Sequence, residues 1–273
     1  MDRTADLDAI GGLVLLGCGR MGGALLAGWL EGGLSPDRVT VIEPHPSDWL
    51  SGLVPRGLTL NPERIGAADV AVLAVKPQMM GEAAPALAAL GGGGTLVVSI
   101  AAGTPISAFE AIFGAGTPVV RAMPNTPSAI GRGVSALIGN AAVGEAELAR
   151  AEALMQAVGE TVRLESEDQM DAVTGLSGSG PAYVFHMIEA MAAAGEAAGL
   201  APDLAMRLAR ATVTGAGALA ERAPDEAATL RENVTSPGGT TAAGLSVLMG
   251  ELPDLMTRTV AAAAARGREL SKG

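Results

Sequence analysis

The segment Gly17-Cys18-Gly19-Arg20-Met21-Gly22 directly follows the apolar run Leu13 to Leu16 and directly opens a helical pattern, Met21 to Glu31. Glycines at these three positions allow a tight turn, close backbone approach to a pyrophosphate and close helix packing, and the helix N-terminus faces the anion. Placement between strand and helix sets the segment apart from an ordinary glycine-rich turn and predicts a dinucleotide loop, with Cys18 a small packing residue inside it. Glu43, 21 residues past Gly22, ends a second strand pattern, Val39 to Ile42. A carboxylate there accepts hydrogen bonds from the adenosine ribose hydroxyls and repels a 2′-phosphate, which favours NAD(H) over NADP(H). The plainer alternative is a solvated acid in a turn. Lys76 is one of two lysines, the other being Lys272. In VLAVKPQ it stands at the carboxyl end of a strand pattern that Pro77 stops, the edge where ligands bind in parallel sheets, so it offers a cation to a cofactor phosphate or ribose.

Three later segments carry further polar groups. Arg121-Ala122-Met123-Pro124-Asn125-Thr126-Pro127 puts an amide, a hydroxyl and a rigid backbone at another strand end. Gly178-Ser179-Gly180-Pro181 precedes a helix and leaves backbone N–H groups open to an anion. Asn233-Val234-Thr235-Ser236-Pro237-Gly238-Gly239-Thr240-Thr241 does the same with hydroxyls added, a cradle suited to a carboxylate. Taken singly, each also reads as a turn or a helix cap.

The elements that must position these residues are short apolar strands alternating with helical stretches. Strand patterns fall at Leu13 to Leu16, Val39 to Ile42, Val70 to Val75, Thr95 to Ile100, Val119 to Ala122 and Thr161 to Leu164, with helices at Met21 to Glu31 and Pro85 to Leu90. Continuous apolar strands separated by helices predict an α/β fold with a doubly wound parallel sheet covered on both faces. After the acidic stretch Glu165 to Asp171 the pattern becomes helical: Pro181 to Ala198 ended by Gly199, Pro202 to about Glu221, Thr240 to Met249 and Pro253 to Leu270. The boundary is set near residue 165. This second half is rich in alanine and glycine, too thin in side-chain volume to stand alone, so its helices are expected to pack against a second subunit.

Composition narrows the function. The chain has 273 residues, 49% of them hydrophobic but only 2% aromatic, and a formal charge of −11. Nucleic acids and anionic membranes need clustered Lys and Arg, and bases need stacking platforms, so neither partner is expected. One cysteine and two histidines make neither a disulfide nor a soft-metal site, so no metal is expected. An acidic N-terminus without an apolar core is unlike a signal peptide, and Ala83 to Phe109 is broken by glycines and prolines, so a cytoplasmic protein is expected.

In this order and spacing, GCGRMGGALLAG, VLAVKPQ, RAMPNTP, TGLSGSGPAYVF and ENVTSPGGTTAAGL resemble the Δ1-pyrroline-5-carboxylate reductase family over nearly the whole chain, from about residue 12 to 270. The resemblance implies a Rossmann domain over residues 1–165 and a helical substrate-binding and dimerisation domain over residues 166–273, in homodimers that form larger homo-oligomers. It implies reduction of 1-pyrroline-5-carboxylate to proline by NADP(H), with NAD(H) as the alternative. For cofactor contacts it implies Gly17, Cys18, Gly19, Arg20, Met21, Gly22, Ala74, Val75, Lys76, Pro77 and Asn233, with Asn125 and Thr126 near the nicotinamide ribose. For the substrate it implies Glu221 and the Ser236, Gly238, Gly239, Thr240 and Thr241 loop, with backbone N–H groups on the carboxylate and Thr241 near the ring nitrogen as the catalytic candidate. Two departures stand out. The segment between Pro224 and Asn233 is two residues longer than usual, and Glu43 occupies the position where a small polar or basic residue would suit a 2′-phosphate. A hydroxyacid dehydrogenase would need a lysine in the helical domain, where none precedes Lys272. A dinucleotide sensor without turnover and a reductase of a related cyclic imine stay open as alternatives.

Overall fold

The structure, a computed structural model, describes residue 7 and residues 10–270. The described chain forms two compact units, one running to Gly178 and resuming at Ala263, the other Ser179–Ala262. The first holds β1 (Leu13–Leu16), α1 (Arg20–Glu31), β2 (Val39–Ile42), α2 (Asp48–Ser51), β3 (Thr59–Leu60), β4 (Val70–Leu73) and α3 (Pro77–Ala83). These are followed by β5 (Leu96–Ser99), α4 (Ile106–Phe113), β6 (Val119–Met123), β7 (Gly133–Gly139), α5 (Glu145–Gln156), β8 (Gly159–Arg163) and α6 (Met170–Val173).

The eight strands form one sheet in the order β3-β2-β1-β4-β5-β6-β7-β8. Successive side chains of a strand point to opposite faces, and the core divides accordingly. Leu13, Leu15, Val39, Val41, Val70 and Val72 bury against Leu25, Leu26 and Trp29 of α1 and Leu154 and Met155 of α5 on one face. Val14, Leu16, Ala71, Leu73 and Val97 bury against Met80, Leu87, Phe109 and Phe113 on the other. Trp29 Nε1 donates to the Leu154 carbonyl at 2.8 Å, so the large indole is buried without leaving its polar atom unpaired.

The expected parallel sheet needs one correction. β7 runs antiparallel to β6, with Val120 opposite Gly139 and Met123 opposite Ala136. The connection from Met123 to Gly133 is too short for the crossover a parallel neighbour requires, so the chain turns back as a hairpin. β4 also ends at Leu73, leaving Ala74 and Val75 as loop, and α3 lies ahead of the helical segment read at Pro85 to Leu90.

The second unit is helical: α7 (Gly180–Ala197), α8 (Pro202–Arg222), α9 (Ala227–Asn233) and most of α10 (Thr240–Leu270). α7 and α8 form a hairpin that turns at Gly199 in the left-handed region, with Gly199 and Leu200 N–H groups capping the Glu196 and Gly195 carbonyls. Gly195 permits the contact, since a Cβ there would sit 3.2 Å from that of Ala205. Where two helices were expected, α10 is a single helix with Pro253 inside it. Proline at a helix start and proline within a helix share the same sequence appearance, and only the backbone on its N-terminal side separates them.

Candidate functional site

The glycine loop takes its shape from contacts that leave no room for side chains. Gly17 has φ +89°, and a Cβ there would lie 2.8 Å from Val75 Cγ1. Gly22 is buried under the turn, where a Cβ would run into the Gly17 carbonyl. A Cβ on Gly19 would meet nothing within 4 Å, so that position faces open space. Gly19 is also the N-cap of α1 without any side-chain cap, so the first N–H groups of a 12-residue helix are presented to the crevice.

Three adjoining cavities run along this strand edge, and Gly19 lines all of them. The largest, about 570 Å³, is bounded by Gly17, Glu43, Ala74, Val75 and Lys76, with Met79 and Ala83 making much of its surface apolar. The second, about 470 Å³, lies beyond Glu43 against Cys18, Gly23, His45 and Trp49. A third of about 380 Å³ is lined by Arg20, Met21, Ala74, Val75, Lys76, Pro77, Asn125 and Thr126, and its two charged residues, Arg20 and Lys76, are both cationic. In a protein of net charge −11 this local reversal of sign favours an anionic ligand.

Glu43 stands between the first two cavities. Its Oε2 accepts the Cys18 N–H at 2.8 Å and its Oε1 the His45 N–H at 3.0 Å. Its backbone is buckled to Asn61, whose Oδ1 accepts the Glu43 N–H at 2.9 Å and whose Nδ2 donates to the Glu43 carbonyl at 2.8 Å. The carboxylate is thus held by the glycine loop through one oxygen and by its own turn through the other. Burial first, and the negative charge of Glu43 second, push the Cys18 thiol up to about 11. At neutral pH Cys18 is therefore a protonated packing group.

Asn125 is buried, while Thr126 is exposed at the rim of the third cavity. Arg121, from the same strand end, does not reach the crevice: it is buried and paired with Glu167 at 2.8 Å, and Glu167 also accepts the Ile106 N–H at the start of α4.

In the helical unit, Asn233 ends α9 and Ser236 to Gly239 form the turn into α10. The Gly239 N–H caps the Ser236 carbonyl at 3.0 Å, and Gly238 takes φ +70°. Ser236, Gly238, Thr240 and Thr241 are exposed, leaving the first N–H groups of a 31-residue helix and two threonine hydroxyls available to a ligand. Glu221 lies at the end of α8, next to its last residue, Arg222.

Comparison with known proteins gives the family. The family model for pyrroline-5-carboxylate reductase dimerisation matches residues 167–270, and that for NADP oxidoreductase, coenzyme F420-dependent, matches residues 12–103. A pyrroline-5-carboxylate reductase of Pseudomonas aeruginosa is 38% identical over 95% of this chain and 97% of its own length. That of Synechocystis is 41% identical over 95% and 98%. The solved reductase of Coxiella burnetii superposes with a TM-score of 0.90 at 36% identity, covering 96% of this chain and 99% of its own. The Plasmodium falciparum enzyme, solved with NADP bound, gives 0.79 at 26% identity over 95% and 98%. This chain belongs to the pyrroline-5-carboxylate reductase family.

The glycine loop and the Asn125-Thr126 segment line the strand edge of the first unit and the Ser236 to Gly239 turn opens α10 in the second, whereas Gly178 to Pro181, expected as an open segment before a helix, is helical: Gly178 ends a π turn and Gly180 starts α7. Residues that sequence reasoning missed are Asn61, Trp49, Met79 and Met123, which build the crevice walls. A signal for Asn61 existed in principle, since asparagine tolerates the left-handed φ of +47° it adopts beside a short edge strand. Met79 and Met123 carried none, because apolar lining and apolar core look alike in sequence.

Proposed function

We propose that this chain reduces 1-pyrroline-5-carboxylate to L-proline with NADP(H) as the hydride source, the last step of proline biosynthesis. The observation that carries this is 35–41% identity to pyrroline-5-carboxylate reductases of three organisms over 94–95% of the chain, joined to a strand-edge crevice built as a dinucleotide site. The residues present fit the dinucleotide: Gly19 and the open N-terminus of α1 suit the pyrophosphate, the apolar cavity beside Glu43 the adenosine, and the cationic cavity beside Asn125 and Thr126 the nicotinamide half. When bound, the dinucleotide supplies the hydride that reaches the imine carbon.

The chain's own residues contribute positioning. The N–H groups from Ser236 to Thr241 anchor the substrate carboxylate without a formal charge, as dipoles at a helix start do. Thr241 hydrogen-bonds the ring nitrogen, Glu221 and Asn233 complete the substrate and cofactor contacts, and a protonated imine enters already electrophilic. Glu43 lowers the advantage of NADP(H) over NAD(H), so both are accepted. The small-molecule site is completed in a homodimer, and larger homo-oligomers follow from the same helical surface: in residues 179–262 the buried hydrophobic side chains are three alanines, Ala192, Ala205 and Ala209. Among the described residues no helix is long and apolar enough to cross a membrane. A cytoplasmic location belongs to the same proposal, supported by a single cysteine, which can form no internal disulfide.

The test is dinucleotide oxidation by the purified chain with pyrroline-5-carboxylate, with proline identified as product. Turnover with proline formed is expected. Binding of NADP(H) without proline formation would replace this proposal with a sensor or a reductase of another imine.

A further inference from the structure

The third cavity has a wall whose construction dinucleotide binding by itself does not require. On one side are Met123 and Asn125, where β6 gives way to a loop; on the other is Gly178, the last residue of a single π turn, Thr174–Gly178. π turns are wide and rare, and persist where surrounding contacts hold them. Here the Thr174 and Ser177 hydroxyls donate back to the Met170 and Val173 carbonyls at 2.8 and 3.1 Å. The Ser177 carbonyl is instead taken by Asn125 Nδ2 at 3.2 Å, across 52 residues of sequence. The other end of the same amide, Oδ1, accepts the Val134 N–H at 3.0 Å where β7 begins. Gly178 completes the joint, for a Cβ there would lie 2.7 Å from Met123 Cε.

We infer that Asn125 is a positioning residue: its buried amide ties the Thr174–Gly178 turn to the strand edge and so fixes the width of the cavity that receives the nicotinamide half of the cofactor. This rests on the assignment of that cavity made above. A buried amide with one acceptor bond and one donor bond at its two ends is specific for asparagine. Aspartate keeps the shape and the acceptor for Val134 but sets a carboxylate oxygen against the Ser177 carbonyl.

The test compares full-length wild type, Asn125→Asp and Asn125→Ala, the last removing both bonds of the amide without adding a charge. Titration calorimetry measures Kd for NADP⁺ and for 2′-phospho-ADP-ribose, which lacks the nicotinamide, and kcat is measured on the same samples. Both variants are expected to bind 2′-phospho-ADP-ribose within twofold of wild type, to bind NADP⁺ about tenfold more weakly, and to lose about a hundredfold in kcat, the scale of an ångström of misplacement. Equal weakening of both ligands would show general damage and overturn the inference, as would unchanged NADP⁺ binding and kcat in Asn125→Asp. Should that variant fail to fold, Asn125→Ala decides alone by the same criteria. Wild type that binds NADP⁺ yet forms no proline would defeat the proposed reaction while the two Kd values still judge the clamp.

Discussion

At the scale of single residues, Glu43 places a fixed negative charge beside the glycine loop, and fixed charge acts on a 2′-phosphate more strongly than a mobile one. Glu43→Ser removes the charge while leaving a hydroxyl. The ratio of Kd for NADP⁺ to Kd for NAD⁺ is expected to fall about tenfold, equivalent to about 1.4 kcal/mol, as read by direct titration; an unchanged ratio would remove Glu43 from cofactor selection. Cys18 gives a second residue-scale prediction. Its thiol is shifted from 9.0 to about 11 by burial first and Glu43 second. The folded protein therefore holds this proton more tightly than the unfolded chain. The stability it contributes is complete below pH about 9 and is lost as pH rises to about 11. Thiolate absorbance of the folded protein should show a midpoint near 11 that disappears in Cys18→Ala. In Glu43→Gln the midpoint should fall yet stay above 9.0, because the larger cause is untouched.

At the scale of elements, the strand–loop–helix unit β1–α1 works because Gly22 lets the helix sit directly on the Gly17 carbonyl. Backbone cannot yield as a flexible side chain can, so Gly22→Ala is expected to cost about 1–3 kcal/mol. Thermal unfolding should move down by about 5 °C, with weakened NADP⁺ binding in the fraction that stays folded. The start of α10 is a different kind of element, open and exposed, where a side chain can be removed without strain. Thr241→Ala should leave NADP⁺ affinity within about twofold and reduce imine reduction by about tenfold or more, the size of one lost hydrogen bond to a charged group. Equal losses in both would remove Thr241 from the substrate site. The glycine loop and the SPGGTT turn were both legible in sequence, since each depends on backbone freedom at fixed local spacing. The tie between Arg121 and Glu167 was not, because a residue at a strand's carboxyl end is drawn into the site or into the core by partners that lie 46 residues away.

At the scale of the whole molecule, the helical unit cannot be held together by what it buries. Three alanine side chains contribute a few methyl groups, each worth about 0.8 kcal/mol on burial, while Phe185, Leu219, Val234 and Val247 are each more than half exposed. Such side chains are covered in a homo-oligomer, in keeping with the dimerisation model that matches residues 167–270. Sedimentation should report an oligomer for the wild type, and Phe185→Asp combined with Val247→Asp should release monomer. A wild-type monomer at micromolar concentration would contradict the homo-oligomer.

The sequence by itself determined what short-range chemistry encodes: alternating apolar strands and helices, the glycine loop, the polar strand ends, and an alanine-rich helical half. Each depends on spacing within a few residues, where periodicity and backbone freedom are visible. The tertiary structure decided which groups meet: the hairpin that reverses β7, the Asn61 buckle, the glycine loop's hold on Glu43, and the Asn125 clamp. The Asn61, Glu43 and Asn125 contacts join groups 18, 25 and 52 residues apart, with no repeat along the chain to announce them. A buried polar group takes whichever partner the packed sheet brings within reach, and that choice exists only once the layers have closed.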